Sequence, residues 1–333
     1  MRRQFINDQQ HHVREALEGL ALANPQLLRY VPEPGFVERA VPATGQKVGL
    51  VSGGGSGHEP LHTGFVGVGM LDAAVPGAIF SSPTAIQVEA ATRAADHGGG
   101  VLHIVKNYTG DVMNFNIAAE LVATDGIAVE RVLVDDDLAT ERTDGDGPGR
   151  RGTAAVVAVE KICGAAAERG ASLADVAALG RRVADGARTM ALALASLAHP
   201  GESQPSFELG PDEVELGVGI HGERGRGRVP FGTAHELERQ LTEPLIDALG
   251  LAEGDRVIVI VNGLGATHPL ELSVLFRELS AHLGEHRIAV ARALVGSYVT
   301  ALDMAGASVT LVRADDEILD LWDAPVRTPG LTW

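Results

Sequence analysis

One cysteine, Cys163, is all that 333 residues carry. An intrachain disulfide is therefore excluded, and a reducing compartment is expected. Basic residues are also scarce. Lys and Arg number 27 against 44 Asp and Glu, a net charge of −17. Nucleic acids and anionic membranes both call for basic patches, so neither is expected as a partner. No apolar run approaches the ~20 residues of a membrane-crossing helix. The N-terminal MRRQFINDQQHHVREAL is too polar for a signal peptide. Short-period repeats, low-complexity tracts and nucleotide-binding motifs are missing as well. These absences leave an acidic, cytoplasmic, globular protein. Its length suits two domains, and 45% hydrophobic residues can fill their cores.

What is present is concentrated in LVSGGGSGHEPLHTGF, residues 50–65. An apolar run, Val48 to Val51, feeds into Gly53, Gly54, Gly55 and Gly57, then into His58 and Glu59. Glycine tolerates positive φ and lets a ligand approach bare backbone. Histidine trades protons near neutrality. Three phosphate or nucleophile motifs nearly match and fail. A P-loop needs Gly-Lys-Ser/Thr, and no lysine is here. The dinucleotide pattern from Gly53 and the nucleophile elbow from Gly54 both meet His58 where glycine is required. His58-Glu59-Pro60-Leu61-His62 matches H-E-x-x-H literally. That zinc signature needs both histidines on one helical face, which the preceding glycines and Pro60 oppose. No metal is expected there.

Strand candidates at Lys47–Val51, Val101–Lys106 and Val129–Val134 alternate with helix candidates at Thr84–Asp96 and Val112–Thr124, with Ser82-Pro83 as a helix start. The alternation predicts a mostly parallel sheet covered by helices. Residues 153–198 read as two Ala-rich helices split near Gly170. The Pro-, Gly- and Ser-rich stretch His199–Pro211 reads as a linker. Beyond it, strands are expected at Val214–Ile220, Arg256–Val261, Ile288–Leu294 and Ser308–Arg313, and helices at Thr233–Leu249 and Pro269–Leu283. The expected fold class is α/β, with two domains split at 198/199, each a parallel or mixed sheet under helices. The first carries the glycine segment and Asp111, the second carries His221, and the site lies at strand C-terminal ends near the domain interface.

Four strand ends hold unusual residues: Gly53–Glu59; Lys106 to Asp111; Asp135-Asp136-Asp137; and His221-Gly222-Glu223-Arg224-Gly225. Asp111 reads as a helix N-cap, as a general base, or as both. Lys106 reads as a snorkelling side chain or as part of a polar site. The three aspartates suit a solvated loop or a metal. His221, flanked by glycines, is less ordinary than a core histidine.

Taken together, LVSGGGSGHEP, VKNYTGDVMNF, VLVDDDLA with RRGTAAVVAVEKICGAAAERG, GVGIHGERG, NGLGAT and LWDAPVRTPGLTW resemble the substrate-binding (DhaK) subunits of the dihydroxyacetone kinase family. The likeness runs from Phe5-Ile6-Asn7-Asp8 to Trp333. It implies two α/β domains, usually in a homodimer, and a short-chain ketone captured as a hemiaminal on a histidine ring. By resemblance that histidine is His221. Gly55, Ser56, Gly57 and His58 would lie on the substrate hydroxyls, with His58 a catalytic partner. Lys106 and Asp111 would contact substrate, with Asp111 the base on the hydroxyl to be phosphorylated.

Covalent capture has a physical rationale. A neutral imidazole is a nucleophile and a ketone an electrophile, whereas glycerol has the hydroxyls without the carbonyl. No cofactor site is expected on this chain. The resemblance implies that the nucleotide sits on a separate DhaL-type subunit. The donor is ATP with magnesium, or an ADP recharged by a DhaM-type phosphotransferase-system protein. Two departures stand out. Arg224 occupies a position where the family usually has proline, and the segment from Phe231 to Asp255 is shorter than in some members. Either could move the substrate range toward a tetrulose. A different class of function, a non-catalytic dihydroxyacetone sensor, competes with catalysis. The presence of His58, Asp111 and His221 favours the enzyme.

Overall fold

A computed structural model describes residues 4–141, 149–200 and 204–333. Two six-stranded sheets organise them. The first is built from β1 (Leu28–Val31), β2 (Phe36–Arg39), β3 (Gly49–Ser56), β4 (Ala73–Ile79), β5 (Val101–Lys106) and β6 (Val129–Val134), in the order β1-β2-β4-β3-β5-β6. Its four strands β4, β3, β5 and β6 run parallel, and β1 and β2 add an antiparallel edge. β5 (VLHIVK) is buried at every position, as a strand covered on both faces must be. α2 (Ala85–Ala95) and α3 (Thr109–Ala123) pack on this sheet through Val88, Ala91, Phe115 and Ala118. Burying each such Val or Phe is worth about 1.5–3 kcal/mol.

The second sheet combines β7 (Ala187–Ala195), β8 (Glu213–Leu216), β9 (Gly227–Pro230), β10 (Arg256–Gly263), β11 (Ala289–Gly296) and β12 (Ala305–Arg313), in the order β11-β10-β12-β7-β8-β9. Only β10 and β11 pair in parallel. α6 (Ala234–Leu249) and α7 (Pro269–Glu285) supply its apolar cover, including Leu241, Leu245, Leu272 and Leu279. Both helices begin with capping boxes, Thr233 with Glu236 and His268 with Glu271.

The compact units are not contiguous in sequence. Phe5–Val134, Val156–Ala184 and Asp320–Trp333 form one, here the first unit. Asp135–Ala155 and Asp185–Leu319 belong to the other, the second unit. This division differs from a single split at 198/199. Helices α4 (Ala155–Glu168) and α5 (Leu173–Asp185) serve the first unit, while β7 is a central strand of the second sheet. β7 also corrects the expected helical reading of residues up to 198. Its sequence ARTMALALA favours helix by propensity, but pairing with β12 and β8 on both sides overrides that preference. Part of the expected linker, 201–203, lies outside the described residues.

Other elements were expected more closely. β5 and β6 match residue for residue, and α2, α6, α7, β10, β11 and β12 fall within a few residues of their expected bounds. β8 stops at Leu216, leaving Gly217 to Ile220 as a turn that leads to His221. Among the described residues, no helix is long and apolar enough to cross a membrane.

Candidate active site

The glycine segment is strand rather than loop. β3 continues through Gly53, Gly54 and Gly55 to Ser56, and only Gly57 of this group has a positive φ, 104°. The glycines are needed for close approach. A Cβ on Gly54 would collide with Lys106 Nζ, which reaches across from the end of β5. His58 follows the strand, is buried, and stacks on Phe80 with ring centroids 5.0 Å apart and 17° between the planes.

Lys106 and Asp111 occupy the neighbouring strand end and the first turn of α3. Both are buried, at 2% and 3% exposure. Lys106 Nζ stands 3.7 Å from Asp111 Oδ2 and 5.9 Å from the Tyr108 ring centroid. Asp111 Oδ1 has no hydrogen-bond partner. Asp111 is not the N-cap: Tyr108 holds that position and offers no side-chain cap. A buried carboxylate with an unmade hydrogen bond, beside a lysine, suits a group that accepts a hydrogen bond, and then the proton, from a ligand hydroxyl. The lysine itself is distinctive. The sequence has three lysines, and all are buried. Lys47 is bonded to Asp72 at 2.6 Å. Lys161 lies over the rings of Trp322 and Trp333 and donates to the Ala324 carbonyl. Lys106 alone of the three faces the glycine strand.

The H-E-x-x-H run is not helical at His58, which precedes the 3₁₀ turn Thr63–Phe65 by several residues. His62 instead contacts Ser52 and Glu160 in the core of the first unit.

In the second unit, β8 gives way to a turn in which Gly222 has φ 80°. His221 is half-buried there. Its backbone N–H donates to Glu223 Oε2 at 2.9 Å, and its Nδ1 lies 2.9 Å from Glu223 Oε1. Arg151 stands 3.8 Å from the same carboxylate and donates to Asp137 Oδ2 at 2.7 Å and to the Gly217 carbonyl. Burial opposes the charge on Glu223, but the hydrogen bond from His221, its charge and that of Arg151 bring the pKa down to about 2. An ionised Glu223 accepts from Nδ1, and that contact leaves Nε2 as the ring nitrogen not turned to the carboxylate.

The three aspartates have protein partners. Asp135 pairs with Arg150 and Asp137 with Arg151. Asp136 is fully buried and accepts from Thr153 and Ala155 at the start of α4, and from Thr189. Asp136 and Asp137 are too buried for the solvated-loop reading. Among the described residues no cluster of three His, Cys, Asp or Glu could hold a metal.

Sequence reading named His58, Lys106, Asp111 and His221 but did not assign Glu223, Arg151, His62 or Glu160. Two signals were available. Glu223 lies two residues from His221, and Glu160, with Lys161, interrupts the apolar helical stretch AVVAVEKICG.

The Dak1 domain model matches residues 18–330. Over 99% of both chains, this sequence is 42% identical to the Escherichia coli protein named PEP-dependent dihydroxyacetone kinase, dihydroxyacetone-binding subunit DhaK. The solved dihydroxyacetone kinase of C. freundii superposes with a TM-score of 0.90 at 35% identity. That match covers all of this chain and 60% of the C. freundii chain. A structure named as the dihydroxyacetone kinase operon co-activator DhaQ also superposes, with a TM-score of 0.88 at 34% identity, over 95% of this chain and 96% of that one. A family model spanning nearly the whole chain, with the E. coli relative alike along 99% of its length, leads to one conclusion: this chain belongs to the Dak1-domain family.

Proposed function

We propose that this chain is the dihydroxyacetone-binding subunit of a dihydroxyacetone kinase. The carrying observation is the 2.9 Å contact between His221 Nδ1 and the Glu223 carboxylate, which favours the tautomer with its lone pair on Nε2. In this reading Nε2 adds to the ketone carbon and a C–N bond forms. The carbonyl π electrons move to oxygen, which takes up a proton as the ring gives up its own. The Glu223 carboxylate stabilises the cationic ring while that exchange occurs.

Asp111 then accepts the proton of the hydroxyl that attacks the donor phosphorus, and Lys106 stabilises the charge that develops. His58 and the backbone from Gly55 to Gly57 position the hydroxyls. Phosphoryl transfer asks mainly for positioning and charge stabilisation, which fits a chain without covalent phosphate chemistry of its own.

The nucleotide, with magnesium, is assigned to a separate DhaL-type subunit. The name of the E. coli relative favours a donor recharged from phosphoenolpyruvate over direct use of ATP. The chain is assigned as a cytoplasmic homodimer. The likeness to an operon co-activator favours one competing reading, a dihydroxyacetone sensor.

One assay separates the two. Purified chain with ATP, magnesium and dihydroxyacetone is expected to give no phosphorylated product. Adding a nucleotide-bearing DhaL-type subunit, together with phosphoenolpyruvate and the phosphotransferase-system proteins that recharge it, is expected to restore turnover in proportion to complex formed. Turnover by the chain alone would reveal a missed nucleotide site. Binding without turnover, across a panel of such subunits, would favour the sensor.

A further inference from the structure

His62, the second histidine of the H-E-x-x-H run, has no part in the reaction described so far. It is buried, at 4% exposure. Its Nδ1 lies 3.0 Å from Ser52 Oγ and 2.6 Å from Glu160 Oε1, on α4. Ser52 commits its hydroxyl hydrogen to the Ile104 carbonyl at 2.7 Å. Toward the ring, then, Ser52 is an acceptor. Burial pushes the Glu160 carboxyl up to about 8, yet its Oε1 can still accept, and a hydrogen on His62 Nδ1 serves both contacts while turning the Nε2 lone pair toward the Lys106 ammonium. Burial, together with the charges of Lys106 and His58, holds the His62 pKa well below 6.5, so the ring is neutral. Its lone pair is therefore on Nε2.

That nitrogen is buried without a hydrogen-bond partner. It faces the bare α-carbon of Gly54, 3.6 Å from where a Cβ would stand, and Lys106 Nζ crowds the same point. A core histidine of the same unit shows the contrast. His103 is also buried and neutral, its pKa brought down to about 3 by burial and the charge of Arg131. Its Nε2 meets Thr92 Oγ1 at 2.8 Å. His103 is closed on itself, whereas His62 leaves an acceptor open beside the lysine of the candidate site.

We propose that His62 is a positioning residue for Lys106, its ring fixed by Ser52 and Glu160 so that the Nε2 lone pair faces the Lys106 ammonium across Gly54. This rests on the assignment of Asp111 as the base. While Asp111 is ionised, it is the countercharge of Lys106. When Asp111 takes the substrate proton, that countercharge is lost, and a neutral acceptor on the other side keeps the ammonium at the reacting oxygen. The benefit falls on the chemical step, not on ground-state binding, so its loss should lower kcat more than it raises KM.

The test has a kinetic and a spectroscopic arm. His62→Phe keeps a ring and removes the acceptor. His62→Gln restores an acceptor near the position of Nε2. With the nucleotide-bearing subunit present, His62→Phe is expected to lose about tenfold or more in kcat, with KM for dihydroxyacetone within about threefold of wild type. His62→Gln is expected to recover part of the loss. Because the Phe variant strands Ser52 and Glu160, a wild-type measurement runs in parallel. Nitrogen-15 spectra of histidine-labelled chain should show His62 neutral, protonated on Nδ1 and bare on Nε2, through neutral pH. A folded His62→Phe with wild-type kcat beside an active wild type would overturn this inference alone, as would an Nε2–H ring. A wild type that does not turn over dihydroxyacetone would overturn the function proposed above, and this inference with it.

Discussion

The two candidate regions solve opposite problems. In the first unit, Lys106 and Asp111 are sealed at the ends of β5 and α3, and the Gly54 backbone gives the lysine its room. In the second, His221 sits on a turn with about a fifth of its side chain exposed, held by one carboxylate. A buried charge pair is fixed by its surroundings. Breaking it costs about 3–5 kcal/mol, because the partner left behind is a buried, uncompensated charge. A nucleophile has to stay reachable, so its orientation comes from hydrogen bonds and not from enclosure. The function proposed above would thus put proton transfer on rigid elements and carbonyl capture on a turn.

The comparison can be broken at either region. Asp111→Asn keeps the shape and removes the charge. Turnover is expected to fall by ~10²–10⁴-fold, the usual range for a general base. The melting temperature should fall as well, since Lys106 loses its countercharge. A variant with wild-type turnover and lowered stability would reduce the pair to a structural one.

Glu223→Gln is expected to act more mildly, lowering capture of dihydroxyacetone by about tenfold. That is the scale of one hydrogen bond to a charged group. Its stability should stay close to wild type, because the pair is partly exposed. A large stability loss without loss of capture would place Glu223 in the fold and not in the chemistry.

Much of this was legible in the sequence, for identifiable reasons. The buried β5 announces itself as VLHIVK, and Thr233 and His268 begin helices with their Glu partners three residues on. The candidate residues stood out because glycine, histidine and acid cluster where strands end.

What failed to show was set by long-range contact. β3 seemed to stop at Val51, because three glycines in a row suggest a loop. They are strand because β4 and β5 pair with them, and they are glycine because Lys106, Val75 and Ser81 leave no room for a Cβ. β4 carries Pro76 and Gly77, yet it pairs with β3 on one side and β2 on the other. Ser82-Pro83 looked like a helix start, but the capping box is made by Thr84 and Gln87. Asp111 looked like a cap and proved to be an uncapped acid in the first turn of α3. Partners such as Ser52, His62 and Glu160 lie up to 108 positions apart in sequence, a juxtaposition no local pattern carries.

The central claim is that the Nε2 nitrogen of His221 captures the ketone. Dihydroxyacetone labelled with carbon-13 at the carbonyl, bound to histidine-labelled nitrogen-15 protein, tests it directly by NMR. The account predicts that the bound carbonyl carbon moves from the ketone region to the tetrahedral region. It should show one-bond coupling to Nε2 of a single histidine, and both signals should vanish in His221→Ala. A bound ligand that keeps its ketone resonance, or a coupling that survives in His221→Ala, would contradict it.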